Sequence, residues 1–513
     1  MTAHREPPGV AALPPVESAA TPLAGGATVL LAGRLGARGL SFAVQLLLAR
    51  LLGPAAFGLF AIGWTLFQVL GLLATAGLEH GVTRYAAPLR REPRRFLGVA
   101  GLGLELAGAG GAVGMAVVLA AASWLAETVF HQPQVAPVLR VFACGLLFAP
   151  ALKVAAAACR AALAMSRSVL AEDLAQPTVQ LALVLAFHLL GWGVLGAALA
   201  SVASFAAALV VAALALRGWA RGAAPIERPS RELGARELLA FSLPVSLAGV
   251  LSPAGLWIDR LLVARYLSAE ATGVYQSSAQ VAFLFVLVLT AINHVVAPLV
   301  ADGLRRGARE VVQETYRVAT KWGVYACLPA FLVLAWEPRL VLTTLYDERY
   351  AAGAVPLVVL TLGQMFNLAT GAVGLVLIMS GRQRAWLVLC AFGLAVQVVG
   401  GVTLIPRWGL AGAAAATTAS LVVLFGSGLV LLRRGEGLWP WDRRALKGVA
   451  AGLVAAAALW AAGELAIAAP WLRLAVSFAA AQGGFLATLA LLGFDGEDRE
   501  LLAALRRRAR PAA

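Results

Sequence analysis

LARLLGPAAFGLF, residues 48–60, returns in altered form as VARYLSAEATGVY at residues 263–275. Ala49 pairs with Ala264, Arg50 with Arg265, Leu52 with Leu267, Gly58 with Gly273, and Phe60 with Tyr275. Other landmarks keep nearly the same offset. GWGVLGAALA (191–200) becomes RWGLAGAAAA (407–416), Met165-Ser166 becomes Met379-Ser380, and His80 becomes His294. Self-similarity at a fixed period marks a duplicated chain.

Composition says what was doubled. Of 513 residues, 61% are hydrophobic and only 13% charged, with a mean hydropathy of +0.84. A soluble domain carries roughly a quarter charged residues. The chain therefore reads as an all-α polytopic membrane protein with no sizeable soluble domain. A crossing takes about 20 mostly apolar residues. Candidate spans lie at about 28–51, 56–79, 97–125, 136–159, 169–190 and 194–216, then 238–264, 273–300, 317–336, 353–380, 385–405 and 409–432. A last pair follows at about 447–468 and 472–494, which makes about fourteen helices. Six spans per copy is an even number, so both copies enter the membrane in the same sense. That arrangement predicts two parallel-related six-helix lobes about an axis along the membrane normal, with a substrate path between them. The expected divisions are a disordered cytoplasmic tail (1–26), an N-lobe (27–216), a basic linker (217–237), a C-lobe (238–433), an appended helix pair (434–494) and a basic tail (495–513).

The formal net charge of +15 does not point to nucleic acid. Its basic residues sit between apolar segments, and no basic stripe is interleaved with aromatics on a soluble fold. With the N-terminus in the cytoplasm, Lys and Arg on that side outnumber those opposite by about five to one, as the positive-inside rule requires. Both termini are then expected to be cytoplasmic. The Pro- and Ala-rich start lacks the compact apolar stretch and cleavage site of a signal peptide. The four cysteines form no CxxC pair and the histidines are scattered, so neither a disulfide framework nor a metal site is expected.

Charges inside a membrane are costly and draw attention to function. Arg34 and Arg38 lie four apart on one face of the first span, and Ser41 and Gln45 extend that polar stripe. Arg34 is close enough to the cytoplasmic surface to snorkel, whereas Arg38 lies deeper. Gln68 adds a polar group to the second span. Glu105 and Lys153 fall at similar depth, either as a structural ion pair or as cavity walls. Gln364 and Asn367, three apart, suit interhelical hydrogen bonding or substrate contact. The seventh span is broken by Pro244 and Pro253, then carries Asp259 and Arg260. Adjacent helical residues point about 100° apart, so these two are expected to find different partners. They are candidates for a structural salt bridge, an ion-coupling carboxylate or a gate. GAGGAVG (108–114) imitates a dinucleotide fingerprint but follows no strand, and reads as close helix packing.

LARLLGPAAFGLFA and FSLPVSLAGVLSPAGLWIDRLLVARYLSAEATGVYQSS (241–278) together resemble the polysaccharide-exporter branch of the multidrug/oligosaccharidyl-lipid/polysaccharide flippase superfamily. The resemblant positions include Pro244, Asp259-Arg260, Gly273, Tyr275 and Ser277-Ser278, and LYDERYAAGAVPL (345–357) resembles the family's outer loop. The resemblance covers about residues 27–432. It implies two lobes in a V around a central cavity and a polyprenyl-pyrophosphate-linked oligosaccharide as substrate, flipped from the cytoplasmic to the outer leaflet of a bacterial plasma membrane. Arg34 and Arg38 would then suit the pyrophosphate, and Gln45, Gln68, Lys153, Gln364 and Asn367 would line the cavity. Glu105, Asp259 or Arg260 would couple or gate. No cofactor is expected, and proton or sodium coupling stays open. A glycan polymerase and glycosyltransferases are possible partners. A flippase for the lipid-linked peptidoglycan precursor is a close alternative. A membrane glycosyltransferase or polymerase of the same pathway is a more distant one, since no large outer loop is present.

Overall fold

In the computed structural model, residues 16–163, 168–221, 234–255, 257–493 and 495–498 are described. Among them there is no strand. Residues of the expected tails and linker at 1–15, 222–233 and 499–513 lie outside this set, as do Met165 and Ser166. The first lobe comprises α1 (Val16–Thr75), α2 (Leu78–Ala86), α3 (Pro93–Trp124), α4 (Val135–Gly145), α5 (Ala149–Ala161), α6 (Gln176–Leu189) and α7 (Gly193–Arg221). The second comprises α8 (Ala235–Ala254), α9 (Ile258–Tyr266), α10 (Ala269–Ala282), α11 (Leu284–Arg305), α12 (Arg309–Trp336), α13 (Pro338–Leu345), α14 (Ala354–Thr370), α15 (Val373–Met379) and α16 (Gln383–Glu436). The appended pair is α17 (Ala445–Gly463) and α18 (Pro470–Leu492).

Among the described residues, ten helical stretches are long and apolar enough to cross a membrane. Two of them, Gly36–Arg91 and Gln383–Glu436, run to 56 and 54 residues, about twice one crossing. Each contains a glycine in a conformation that breaks the helix, Gly53 (φ 73°) and Gly409 (φ 56°). At Gly409 the chain folds back on itself. Gln397 Nε2 donates to Thr417 Oγ1 at 3.2 Å, and Ser420 Oγ donates to the Gly393 carbonyl at 2.7 Å, a ladder about the turn. The expected fifth and seventh spans are interrupted and fall outside the ten. The fifth begins as a π-turn at Val169–Ala175, and the seventh is split between α8 and α9.

The duplication is written into the backbone. Gly193 and Gly409 are repeat-matched, and their φ values are 54° and 56°. Only glycine takes such a conformation at no steric cost. Gly58 and Gly273, also repeat-matched, face one another across the lobes. A Cβ on Gly58 would run into the Ala269 carbonyl, and one on Gly273 into the Pro54 carbonyl. The string that appears twice is thus one place where the two copies touch.

Two further bonds share this symmetry. Tyr350 Oη, from the second lobe, donates to the Ala49 carbonyl at 2.6 Å. Gln132 Nε2, from the first lobe, donates to the Ala264 carbonyl at 2.9 Å. Each lobe sends a loop across to cap the repeat-matched helix end of the other, satisfying carbonyls a helix terminus leaves open. Arg50 adds an asymmetric tie. Its Nε and Nη2 donate to the Leu345 and Thr344 carbonyls at 2.6 and 2.5 Å, and it stacks over Trp471 at 5.6 Å. This is the outer end in the charge-based orientation. At the other end, Gly77 and Gly81 pack on Ser242, and Tyr85 meets Phe241 edge-on at 6.0 Å.

Within the first lobe, Phe57, Phe60, Trp64 and Phe67 recur at helical spacing; the last three pack edge-on or tilted against Phe142, and Trp64 and Phe67 also meet Phe205. Each such pair contributes about 0.5–1.5 kcal/mol beyond burial. The appended pair is pinned to α12 at both ends. Glu337, buried, accepts from Arg473 at 2.8 Å and from Ser477 at 2.8 Å. Lys321, also buried, meets Asp495, Glu497 and Asp498 at 3.3, 2.8 and 2.8 Å. Burial pushes the Glu497 carboxyl up, but hydrogen bonds from Lys321 and Arg444 outweigh it and hold the group at about 2.

One expectation needs correction. The first helix starts at Val16, inside the segment expected to be an unstructured tail, where alanines favour helix. Just after the last helix, Asp495, Glu497 and Asp498 are docked on Lys321. Cys144 is exposed, while Cys159, Cys327 and Cys390 are buried.

Gly58→Ala and Gly273→Ala are each expected to cost about 1–3 kcal/mol by overpacking the lobe contact. Gly101→Ala, where nothing lies within 4 Å, is the control and is expected to be neutral or slightly stabilising. Thermal unfolding of the purified protein in detergent checks this.

Candidate functional site

A cavity of about 910 Å³ lies between the lobes. Its walls come from α1, the α8–α9 break, α10, α11, α14, α15 and α16. Arg38, Gln45 and Gln68 line it from the first lobe. Gln45 precedes the Gly53 bend and Gln68 follows it, so the bend is what brings both to one wall. Gln364 and Asn367 line it from the second lobe, both buried, with Asn367 Nδ2 donating to Gln364 Oε1 at 3.3 Å.

Asp259 and Arg260 also line the cavity, and here the sequence reading is corrected. Rather than finding separate partners, they pair with each other. Arg260 Nη1 lies 2.9 Å from Asp259 Oδ1, and the same oxygen accepts the Arg260 backbone N–H at 2.8 Å. The reason is the break between α8 and α9. Trp257 has φ −123°, so Asp259 sits in the first turn of a new helix with unsatisfied N–H groups nearby. Its carboxylate folds back over the turn, and the guanidinium curls to meet it. The other oxygen, Oδ2, accepts from Tyr275 Oη at 3.0 Å and Thr417 Oγ1 at 3.4 Å. Arg260 Nε donates to Gln276 Oε1 at 2.6 Å. The pair's side chains are only 5% and 12% exposed.

Glu105 and Lys153 are not cavity walls. Glu105 lies on the exposed face of α3 and Lys153 is half-buried within the first lobe. Helices α3 and α5 pack on one another at that depth, Gly103 against Val154, and this internal packing turns both residues away from the lobe interface. Arg34 lies on α1, but its side chain is outside the described residues. Asp173 lines the cavity, while Gln176 and Gln180 bond Ser204 and Ser201 within the first lobe at 3.0 and 2.9 Å.

Sequence reading missed Gln276, Gln280, Asn293, Gln397 and Thr417 as cavity walls. Each lies within an apolar span, and Gln276 and Gln280 are four apart. That spacing was a usable signal. Which wall they would join was not readable without the fold.

A cavity lined by amides and a few charges between two duplicated helical lobes is the arrangement found in alternating-access transporters. The family profile for polysaccharide biosynthesis proteins matches residues 23–303, and the chain belongs to that family. Among curated proteins, none matches the sequence. Solved structures share its fold. An inward closed conformation of the lipid II flippase MurJ superposes with a TM-score of 0.69 at 13% identity, covering 91% of this chain and 98% of that one. An inward-facing multidrug resistance MATE family transporter gives 0.65 at 20% identity, covering 79% and 98%. A superfamily transporter from Pyrococcus furiosus, described as having a binding pocket of reverse polarity, gives 0.54 at 18%, covering 80% and 94%.

Removing the guanidinium with Arg260→Leu leaves Asp259 as a buried charge without its cation, at an expected cost of about 3–5 kcal/mol. Adding Asp259→Asn to that variant is expected to recover most of the loss. Thermal unfolding of the two single variants and the double variant gives the coupling directly.

Proposed function

We propose that the protein is a flippase for polyprenyl-pyrophosphate-linked oligosaccharide. It moves the glycan head from the cytoplasmic to the outer leaflet of the bacterial plasma membrane for surface polysaccharide synthesis. Both termini are cytoplasmic in this reading. Glycosyltransferases would supply its substrate, and a glycan polymerase would consume its product.

The observation that carries the reading is the cavity between the lobes, tied at its outer end, lined by eight amides and bearing an exposed cation, Arg38. A sugar head cannot cross about 30 Å of hydrocarbon, because its hydroxyls would lose their water partners. The amides of the cavity replace that water. Arg38, with Arg34 one turn earlier, suits the anionic pyrophosphate through charge-assisted bonds. The prenyl tail stays in lipid, and only the head enters. Family membership supports the same reading. The outer ties of Arg50, Tyr350 and Gln132 are few and directional, as bonds that break and re-form in each cycle must be. Coupling to a proton or sodium ion would act through Asp259, the buried carboxylate nearest the lobe contact.

A second reading, a flippase for the lipid-linked peptidoglycan precursor, is favoured by one observation. The likeness to MurJ spans 91% of the chain, against 79% for the MATE transporter.

Arg38→Ala is expected to lower flipping by at least about tenfold, the loss of one charge-assisted bond of about 1.5–3 kcal/mol, with expression unchanged. Complementation of strains lacking a polysaccharide flippase or the peptidoglycan-precursor flippase measures this and separates the two readings. Full rescue by Arg38→Ala would remove the cationic subsite.

A further inference from the structure

We propose that the glycan this cavity accepts is uncharged, and that it is read by amide acceptors on the second lobe. The proposal rests on the flippase reading and names the substrate class within it. Eight of the side chains lining the cavity are amides. Three of them carry a buried carbonyl oxygen with no donor among the described residues: Gln280 Oε1, Asn293 Oδ1 and Asn367 Oδ1. Asn367 is only 6% exposed. A buried acceptor left unpaired costs about 1–3 kcal/mol, and three on the helices of the second lobe signal a partner that arrives with its own donors.

What supplies donors decides the class. Sugar hydroxyls and the N–H of an N-acetyl group donate. A carboxylate, such as that of a uronic acid, only accepts when ionised. A hexuronate keeps its ring hydroxyls but exchanges one donor for this group, and the carboxylate repels any orphan oxygen it faces. The charged groups of the wall agree. They are Arg38, Glu172, Asp173, Asp259 and Arg260. Arg260 and Asp259 neutralise each other, and Glu172 accepts from Arg160 at 3.0 Å. Arg38 is then the cation left facing the cavity among the described residues, and the pyrophosphate has first claim on it.

The layout gives the head an orientation. Gln280 Nε2 donates to the Phe42 carbonyl at 3.3 Å. Phe42 is one turn beyond Arg38, about 6 Å along α1. The amide wall therefore begins one turn outward of the pyrophosphate subsite, where the first sugars would stand.

The test uses proteoliposomes of the full chain and two radiolabelled probes. One is undecaprenyl pyrophosphate carrying a neutral N-acetylhexosaminyl-hexose, and the other carries the same disaccharide with a hexuronic acid. Exposure to impermeant periodate reads transport. The neutral lipid is expected to move about tenfold faster or more. Equal rates, or preference for the uronate, would overturn the proposal while leaving the flippase reading intact. Movement of neither lipid would remove the flippase reading and this proposal together. In parallel, Asn293→Leu is expected to lower neutral transport about tenfold with thermal stability kept, since it removes an orphan acceptor. Loss of stability with transport retained would assign Asn293 a structural role and contradict the proposal.

Discussion

Everything in this architecture depends on how closely two backbones approach at Gly58 and Gly273. Helix contact inside a bilayer gains little from the hydrophobic effect, because lipid tails are as apolar as leucine. It relies on small residues that let backbones touch and on hydrogen bonds between helices. The repeated glycines supply the first, each lying against the other's helix. The crossed bonds to the Ala49 and Ala264 carbonyls supply the second. Because the contact is self-complementary, one string written twice is enough to make it. A change at either glycine would part the outer ends, and the cavity beneath them would lose its roof.

Where the copies meet they have stayed alike, and where they face the cavity they have diverged. Phe60 and Tyr275 are repeat-matched and both fully buried. Phe60 stacks on Trp64 and Phe142, whereas Tyr275 uses its hydroxyl to hold Asp259. The first lobe presents a cation, Arg38, and the second presents an internally neutral Asp259–Arg260 pair and most of the amides. A buried ion pair adds little net stability. Its value here lies in fixing the α8–α9 break, which shapes one side of the chamber. The appended helices add a further asymmetry, since Trp471 on α18 covers Arg50 at the outer tie. They touch both lobes' closure without belonging to the repeat.

Much of this was legible in the sequence because membrane physics leaves few options. Apolar runs, the period of the repeat and the distribution of arginine gave the class and the two lobes. Arg38, Gln45, Gln68, Gln364 and Asn367 were legible because polar residues in an apolar run have few cheap positions. The Asp259–Arg260 pairing was not, because it depends on a helix that restarts at Ile258, and periodicity assumes an unbroken helix. That Glu105 and Lys153 lie away from the cavity was hidden for a related reason. Depth in the membrane can be counted along a helix, but the direction a side chain faces depends on neighbours that lie far off in sequence. The glycine bends at Gly53 and Gly409 sat in plain sight. Only φ values distinguish them from the many glycines that merely pack.

The account stands on two lobes that exchange an outer closure for an inner one. The most direct measurement places spin labels at Ala55 and Glu270, both exposed at the outer end, and reads their distance in liposomes with and without polyprenyl-pyrophosphate glycan. The account predicts a short population matching the closed contact of Gly58 and Gly273, and a second, longer one that grows during turnover. A single unchanging distance in protein that is actively transporting would contradict it.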